Sequence, residues 1–369
     1  MAISELCTSL QWFIPGEPVF EHLYPRIGRM LPFAGGILFL DGSHLALADR
    51  NGGVTWQCRP DGGVWGHPAR LDETHVVCAD LLESLQIIDK DGNIAASVAL
   101  PGPPNTELVT DGCGAVFLGI GSLRCDVIRV DCDGRVRWQR PVARDDGLTH
   151  ALALDPYNGI WVATESGLLL LDPETGDMPV RFKVSPAWRC RSAALPWKNG
   201  ALVLAESDSG HTLLFHVGGA GDVLAETPLP AMNMGYLFPA CDGGAWLVGT
   251  TASAADALKA SDRVLVFAID GQGRAACPAV LPGDRALDGL PGPDGGLWIS
   301  AYTGDEQERG ALYFIDRRGA LQFQWSPQEP AGVGAPVCLG TAEILVPTSG
   351  GIACLRLMPR VASSHSEAP

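Results

Sequence analysis

The sequence predicts an all-β fold, a closed β-propeller of eight four-stranded blades. Three observations point there. A strand-turn-strand unit recurs: Ile160-Trp161-Val162-Ala163 followed by Leu168-Leu169-Leu170-Leu171-Asp172-Pro173-Glu174-Thr175-Gly176 matches Leu297-Trp298-Ile299-Ser300 followed by Leu312-Tyr313-Phe314-Ile315-Asp316-Arg317-Arg318-Gly319. The units repeat every 40 to 50 residues or so, the period of a propeller blade. Apolar residues make up 46% of the chain, with 45 Gly and 28 Pro among 369 residues, which suits buried strands joined by many tight turns.

The first apolar residue of each unit's leading strand fixes the count: Ile37, Val76, Ala115, Ile160, Ala201, Ala245, Leu297 and Ile344. Many of these follow a glycine turn, as in Gly35-Gly36, Asp111-Gly112-Cys113-Gly114, Asp242-Gly243-Gly244 and Asp294-Gly295-Gly296. Glycine there supplies the positive φ of a tight turn. A second punctuation, Asp49-Arg50-Asn51-Gly52, Asp89-Lys90-Asp91-Gly92, Asp131-Cys132-Asp133-Gly134 and their counterparts, closes the outer hairpin. Three copies lead on to Trp56, Trp138 and Trp325, rings large enough to dock on the next blade.

The eighth unit has strands at Glu343–Pro347 and Gly351–Leu357 and then a polar tail, 361–369, so its outermost strand is missing. Leu10-Gln11-Trp12 resembles the outer-strand segment Phe323-Gln324-Trp325. Residues near 8–14 are therefore expected to complete the last blade, making one domain over 1–360 and removing exposed edges. Thr251–Lys259, an Ala-rich insertion, reads as a short rim helix, and Thr303–Gly310 as a charged rim loop that could grip a protein partner.

The formal charge of −16 argues against a nucleic-acid partner. Eleven cysteines without a C-x-x-C or adjacent pair read as free thiols. The first residues lack a signal-peptide pattern, and no apolar run is long enough to span a bilayer, so a cytoplasmic protein with no membrane partner is expected. Only four of the 26 basic residues are lysines, which points to a bacterial gene.

The segment Asp155–Gly176 resembles the repeat of two-component-regulator sensor propellers, and the Asp131…Trp138 spacing is similar to pyrroloquinoline-quinone-type repeats. Quinoprotein dehydrogenases with such repeats are exported, bind calcium and the quinone, and often carry adjacent cysteines; this chain shows neither an export signal nor such a pair. The Asp-Gly-x-x-Trp repeats also resemble those of streptogramin lyases, which act through a histidine and a magnesium ion in the channel mouth. No cofactor is expected from these motifs, and no motif supports a divalent metal.

In a propeller the strand before each leading apolar strand lines the central channel. Reading back from each unit's first apolar residue gives Arg26 and Arg29, His67 and Arg70, Glu107, His150, Arg189 and Arg191, Asn233 and Tyr236, and Asp288. Five arginines near the axis of an acidic protein would focus positive potential there, and arginine forks suit carboxylate or phosphate. His67, His150 and Tyr236 are the candidate proton-transfer groups. Arg26, Arg29, Arg70, Glu107, Arg189, Arg191, Asn233 and Asp288 are the candidate ligand-binding groups. The expectation is a channel site for an anionic small molecule or peptide, in a lyase, isomerase or cyclase, or else a non-catalytic interaction scaffold. The same arginines could instead be held in a structural network with Glu107, Asp288 and strand-end carbonyls.

His211 and His216, five apart, fall on opposite faces of a strand and cannot share a metal. Asp89–Gly92 and Asp131–Gly134 imitate the start of a calcium loop, but Leu100 and Val142 stand where a bidentate carboxylate is needed. They read as hairpin turns.

Overall fold

An inner strand, two apolar middle strands and a fourth, outer strand recur eight times and pair as eight separate antiparallel sheets. The computed structural model describes residues 6–15, 30–80, 82–121, 125–143, 152–155, 159–251, 263–276, 279–283, 285–292, 295–303, 309–328, 331–334, 336–339 and 343–359. Blade 1 shows the plan, with strands Leu31–Phe33, Gly36–Asp41, His44–Ala48 and Val54–Cys58 paired in that order from the axis outward. Its two middle strands are buried on both faces, which explains their continuous apolar runs, while the outer strand alternates. In blade 5 the innermost strand is broken into Trp188–Cys190 and Leu195–Trp197, both paired with Gly200–Ser207.

The last blade is closed as the sequence predicts. Its sheet runs Val337–Cys338, Glu343–Thr348, Gly351–Pro359 and then, outermost, Leu6–Pro15. Leu6 pairs with Pro359 and Pro15 with Gly351, with a bulge between Leu10 and Trp12. Among the described residues eight apolar clusters fill the spaces between consecutive blades, and one of them joins blade 8 to blade 1 through Ile14, Leu345, Ile352, Cys354, Ile37, Phe39 and Ala46. The ring is thus shut by a hydrophobic seam like the other seven. The tail 361–369 and the insertions at 252–262 and 304–308 lie outside the described residues.

The turn residues have distinct jobs. Asp49, Asp89, Asp270 and Asp316 each use Oδ1 to accept the backbone N–H groups two and four residues on, at 2.8 to 3.0 Å. The acidic residue therefore satisfies turn donors, and Asp89–Gly92 is a hairpin turn. In Gly243-Gly244 the first glycine takes φ +78, but the second is needed for space: a Cβ on Gly244 would lie 2.5 Å from the Ile269 carbonyl oxygen. The same close approach recurs at Gly36, Gly200 and Gly296, where positive φ is not the requirement.

Four tryptophans peg their blade to the next. Trp56 Nε1 donates to the Lys90 carbonyl at 2.9 Å and Trp138 Nε1 to the Pro173 carbonyl at 3.0 Å, each reaching the outer turn of the following blade. Trp197 and Trp246 donate likewise to Gly243 and Gly295 on inner turns. Trp325 packs against the cluster between blades 7 and 8.

One buried imidazole makes the fold sensitive to pH. His216 meets the Trp197 ring edge-on at 4.7 Å, and its Nε2 is buried with no hydrogen-bond partner among the described residues. Burial, reinforced by the Lys198 ammonium and partly offset by Asp222, pushes its pKa below the usual histidine range. The folded state thus favours neutral imidazole. Its contribution is complete above the unfolded value of about 6.5 and is lost as pH falls below it. Urea unfolding at pH 7.5 and 5.5 should show the wild type weakened at the lower pH and His216→Leu weakened less; an equal loss in both would assign the effect elsewhere.

Candidate functional site

Strand register gives each channel-facing position a height. Counting along the second strand of each blade from its first apolar residue, Tyr236 pairs with the fourth residue, Val248, and Asp288 with the fourth residue, Ser300. The Arg191 N–H donates to the carbonyl of the fourth residue, Leu204, at 2.9 Å. Glu107 lies between Asn105, bonded to Gly119, and Val109, paired with Phe117, and so comes to the same level. His67 sits in a bulge between Trp65, paired with Ala79, and Ala69, paired with Val77, one step lower. Four candidates from four blades therefore share one level of the inner wall, and His67 stands one step below them; together they make one storey.

Others stand apart. Arg189 pairs with Glu206, the sixth residue of its second strand, and Asn233 falls in the bulge between Met232 and Gly235, so both belong to the rim above that storey. Arg70 pairs with Val76, the first residue, and lies at the opposite end of the channel. Arg26, Arg29 and His150 lie outside the described residues.

Two of the five touch. His67 Nε2 lies 3.7 Å from Glu107 Oε1, with side chains 11% and 21% exposed. That is ion-pair range, slightly longer than a hydrogen bond. The contact bridges blades 2 and 3, whose inner strands pack side by side. It is possible because the glycine-containing bulge, with Gly66 at φ +72, displaces the strand around His67. Tyr236 packs its ring against the apolar cluster between blades 6 and 7. Asp288 Oδ1 accepts the Gly289 N–H at 2.8 Å.

The two blade 5 arginines each face a glutamate that lies beyond the innermost strands. Arg189 Nη1 lies 3.1 Å from Glu165 Oε2 across the junction of blades 4 and 5, and Arg191 Nε lies 3.1 Å from Glu206 Oε2 within blade 5. All four side chains are between 29% and 51% exposed. Glu165 and Glu206 were missed because only the innermost strands were read for channel residues. A signal existed: each follows the first apolar residue of its unit, Ile160 or Ala201, by the same five positions.

At the opposite mouth, the inner turns of blades 1 and 2 and the end of Val337–Cys338 enclose a cavity of about 340 Å³, with Arg50, Arg70 and Glu73 in its wall. Among the described residues no group of three or more His, Cys, Asp or Glu side chains is arranged to hold a metal ion. No helix among them is long and apolar enough to cross a membrane.

No family model matches the chain, and no curated protein matches it. Solved structures do. BamB from Moraxella catarrhalis superposes with a TM-score of 0.67 at 13% identity, covering 95% of this chain and 100% of its own. The computationally designed Ika8 protein gives 0.67 at 12% identity, covering 94% and 98%. A streptogramin B lyase gives 0.54 at 13% identity, covering 96% and 98%. At such identities the likeness speaks for the fold alone, and it spans nearly the whole of each chain: this protein is a β-propeller with eight four-stranded blades.

Proposed function

We propose that the storey formed by His67, Glu107, Arg191, Tyr236 and Asp288 is a binding site for an anionic small molecule or short peptide, and that His67 and Glu107 form its acid–base pair. The observation that carries this reading is that polar groups from four blades share one height with His67 one step below, and that His67 touches Glu107. The carboxylate of Glu107 beside His67 favours the imidazolium that forms when His67 takes a proton from a ligand. Arg189 and Arg191 sit in part-exposed ion pairs worth about 0–1 kcal/mol each, so an incoming carboxylate or phosphate can take over from Glu165 and Glu206 at small cost. Proton abstraction beside an anionic group is the chemistry of a lyase, isomerase or cyclase, and it requires no cofactor. A cytoplasmic bacterial enzyme without a nucleic-acid or membrane partner fits the acidic composition.

The exposed apolar residues bear on the scaffold alternative. Val54, Ile94, Val136, Val223 and Leu321 open the outer strands of five different blades. Leu224, Val280, Leu10 and Phe13 are likewise exposed on outer strands, so among the described residues exposed apolar side chains recur around the ring.

The test is calorimetric titration with a panel of small mono- and dicarboxylates and phosphate monoesters, with turnover of any binder followed by NMR. At least one acid should bind at a single site. Arg191→Ala should weaken it by about 1 to 3 kcal/mol, roughly 5- to 150-fold. His67→Gln should stop turnover while leaving affinity within a few-fold. If no acid binds, or both variants behave as wild type, the protein returns to the scaffold reading.

A further inference from the structure

The cavity at the other mouth is a separate feature, at the far end of the inner strand that carries His67. Its shape comes from unequal turns. Blade 1 turns from Phe33 directly back to Gly36 through two residues, Ala34 and Gly35, whereas blade 2 spans from Arg70 to Val76. The short turn leaves a recess beside the taller one. Ala34 at φ +47 and Gly35 at φ +78 are the two central residues of a tight hairpin turn, which keeps this wall of the recess low.

The wall divides into an apolar and a cationic part. Pro32, Phe33 and Leu339 supply the first, and Arg50 and Arg70 the second. Arg70 is set in place: its carbonyl accepts the Thr110 hydroxyl at 2.6 Å, and its Nε donates to the Asp72 carbonyl at 3.2 Å. The tip of the guanidinium is then left to the carboxylate of Glu73, which contacts Nη2 from a side chain 90% exposed. Arg50 has no carboxylate within ion-pair distance among the described residues.

We propose that this cavity is a second ligand site, for a small molecule with one carboxylate or phosphate head and a compact apolar body, in which Glu73 stands in for the ligand's head group. A volume of about 340 Å³ suits such a molecule. The head replaces Glu73 on Arg70 and gains Arg50, and the body lies against Phe33 and Leu339. Displacing Glu73 costs little, because an exposed i,i+3 pair adds little to stability. The proposal does not rest on the storey around His67, and its residues are not shared with that site.

Benzoate and phenyl phosphate are the probes, with inorganic phosphate and benzyl alcohol as controls, titrated calorimetrically into the full chain. One or both acids should bind more tightly than either control, and the preferred acid identifies the head group. Arg70→Gln and, separately, the turn variant Arg50→Ala should each weaken that acid tenfold or more. Glu73→Gln should tighten it several-fold, an effect that follows only if Glu73 competes for the same place. No binding of either acid up to about 10 mM overturns the proposal, as does affinity unchanged in Glu73→Gln. Loss of binding in Arg191→Ala but not in Arg70→Gln would assign the acid to the other site and overturn this one.

Discussion

Deletion of residues 1–15 is expected to leave a propeller that unfolds at far lower denaturant or aggregates on purification. Leu6–Pro15 is the outermost strand of blade 8, paired along the length of Gly351–Pro359. Without it that strand becomes an unpaired edge, and Ile352 and Cys354 lose the cover that Ile14 gives the seam with blade 1. Truncating Ile14 to alanine should cost about 2 to 5 kcal/mol, a large share of the stability of a protein held by about 5–15 kcal/mol. Removing the whole strand should cost more than that single variant. Guanidinium unfolding of the truncated chain, Ile14→Ala and wild type should give midpoints in that order, and a synthetic peptide of residues 6–15 should restore part of the loss. A truncated protein with the wild-type midpoint would falsify closure by this strand.

Gly200→Val is the second large effect. Gly200 opens the second strand of blade 5 and pairs with Gly218. A Cβ there would lie 1.9 Å from the Val217 carbonyl oxygen and 2.9 Å from the Gly218 Cα. Both are backbone atoms of a paired strand, so the clash cannot be relieved by rotating a side chain. The two middle strands must part at that end, uncovering Ala201, Val217 and Leu202, which are fully buried. A loss of about 3 kcal/mol or more is expected, well above the roughly 1 kcal/mol of an average substitution. Gly271→Ala is the control, since the nearest atom to its added Cβ is the mobile Lys198 Nζ at 3.7 Å. Melting curves should separate the two variants widely, and coincident curves would show that this approach is not fixed by the backbone.

The blade plan was legible because its determinants are local. Asp316, Gly319 and the leading Leu297 state their roles within a few residues, and Leu10-Gln11-Trp12 resembled an outer strand closely enough to place it in the last blade. The site was legible only as a set of inner-strand positions. Their heights depend on register, and the bulges at His67 and at Asn233 shift register by amounts that alternation alone does not give. Arg70, three residues from His67, therefore reads as its neighbour in sequence and stands at the other mouth in space. The partners Glu165 and Glu206 were hidden for a related reason: Glu206 sits near the end of a second strand and Glu165 in the turn just after one, and both reach the channel rim there. The wider use of glycine was hidden too, since Gly244 beside Gly243 looks like turn chemistry until the approaching Ile269 carbonyl is seen.

The pairing of Pro15 with Gly351 also sets a clock. A ribosome adding about 5–20 residues per second makes Leu6–Pro15 first and its partner strand last, some tens of seconds later. Throughout that interval the segment has no strand to pair with, and Ile14 can meet only the blade 1 side of its cluster, while blades 1 to 7 can form behind it. The nascent chain thus carries an exposed apolar leading strand for most of its synthesis, a natural target for a holding chaperone. Its release would coincide with ring closure, when Leu6–Pro15 meets Gly351–Pro359 across the whole circumference.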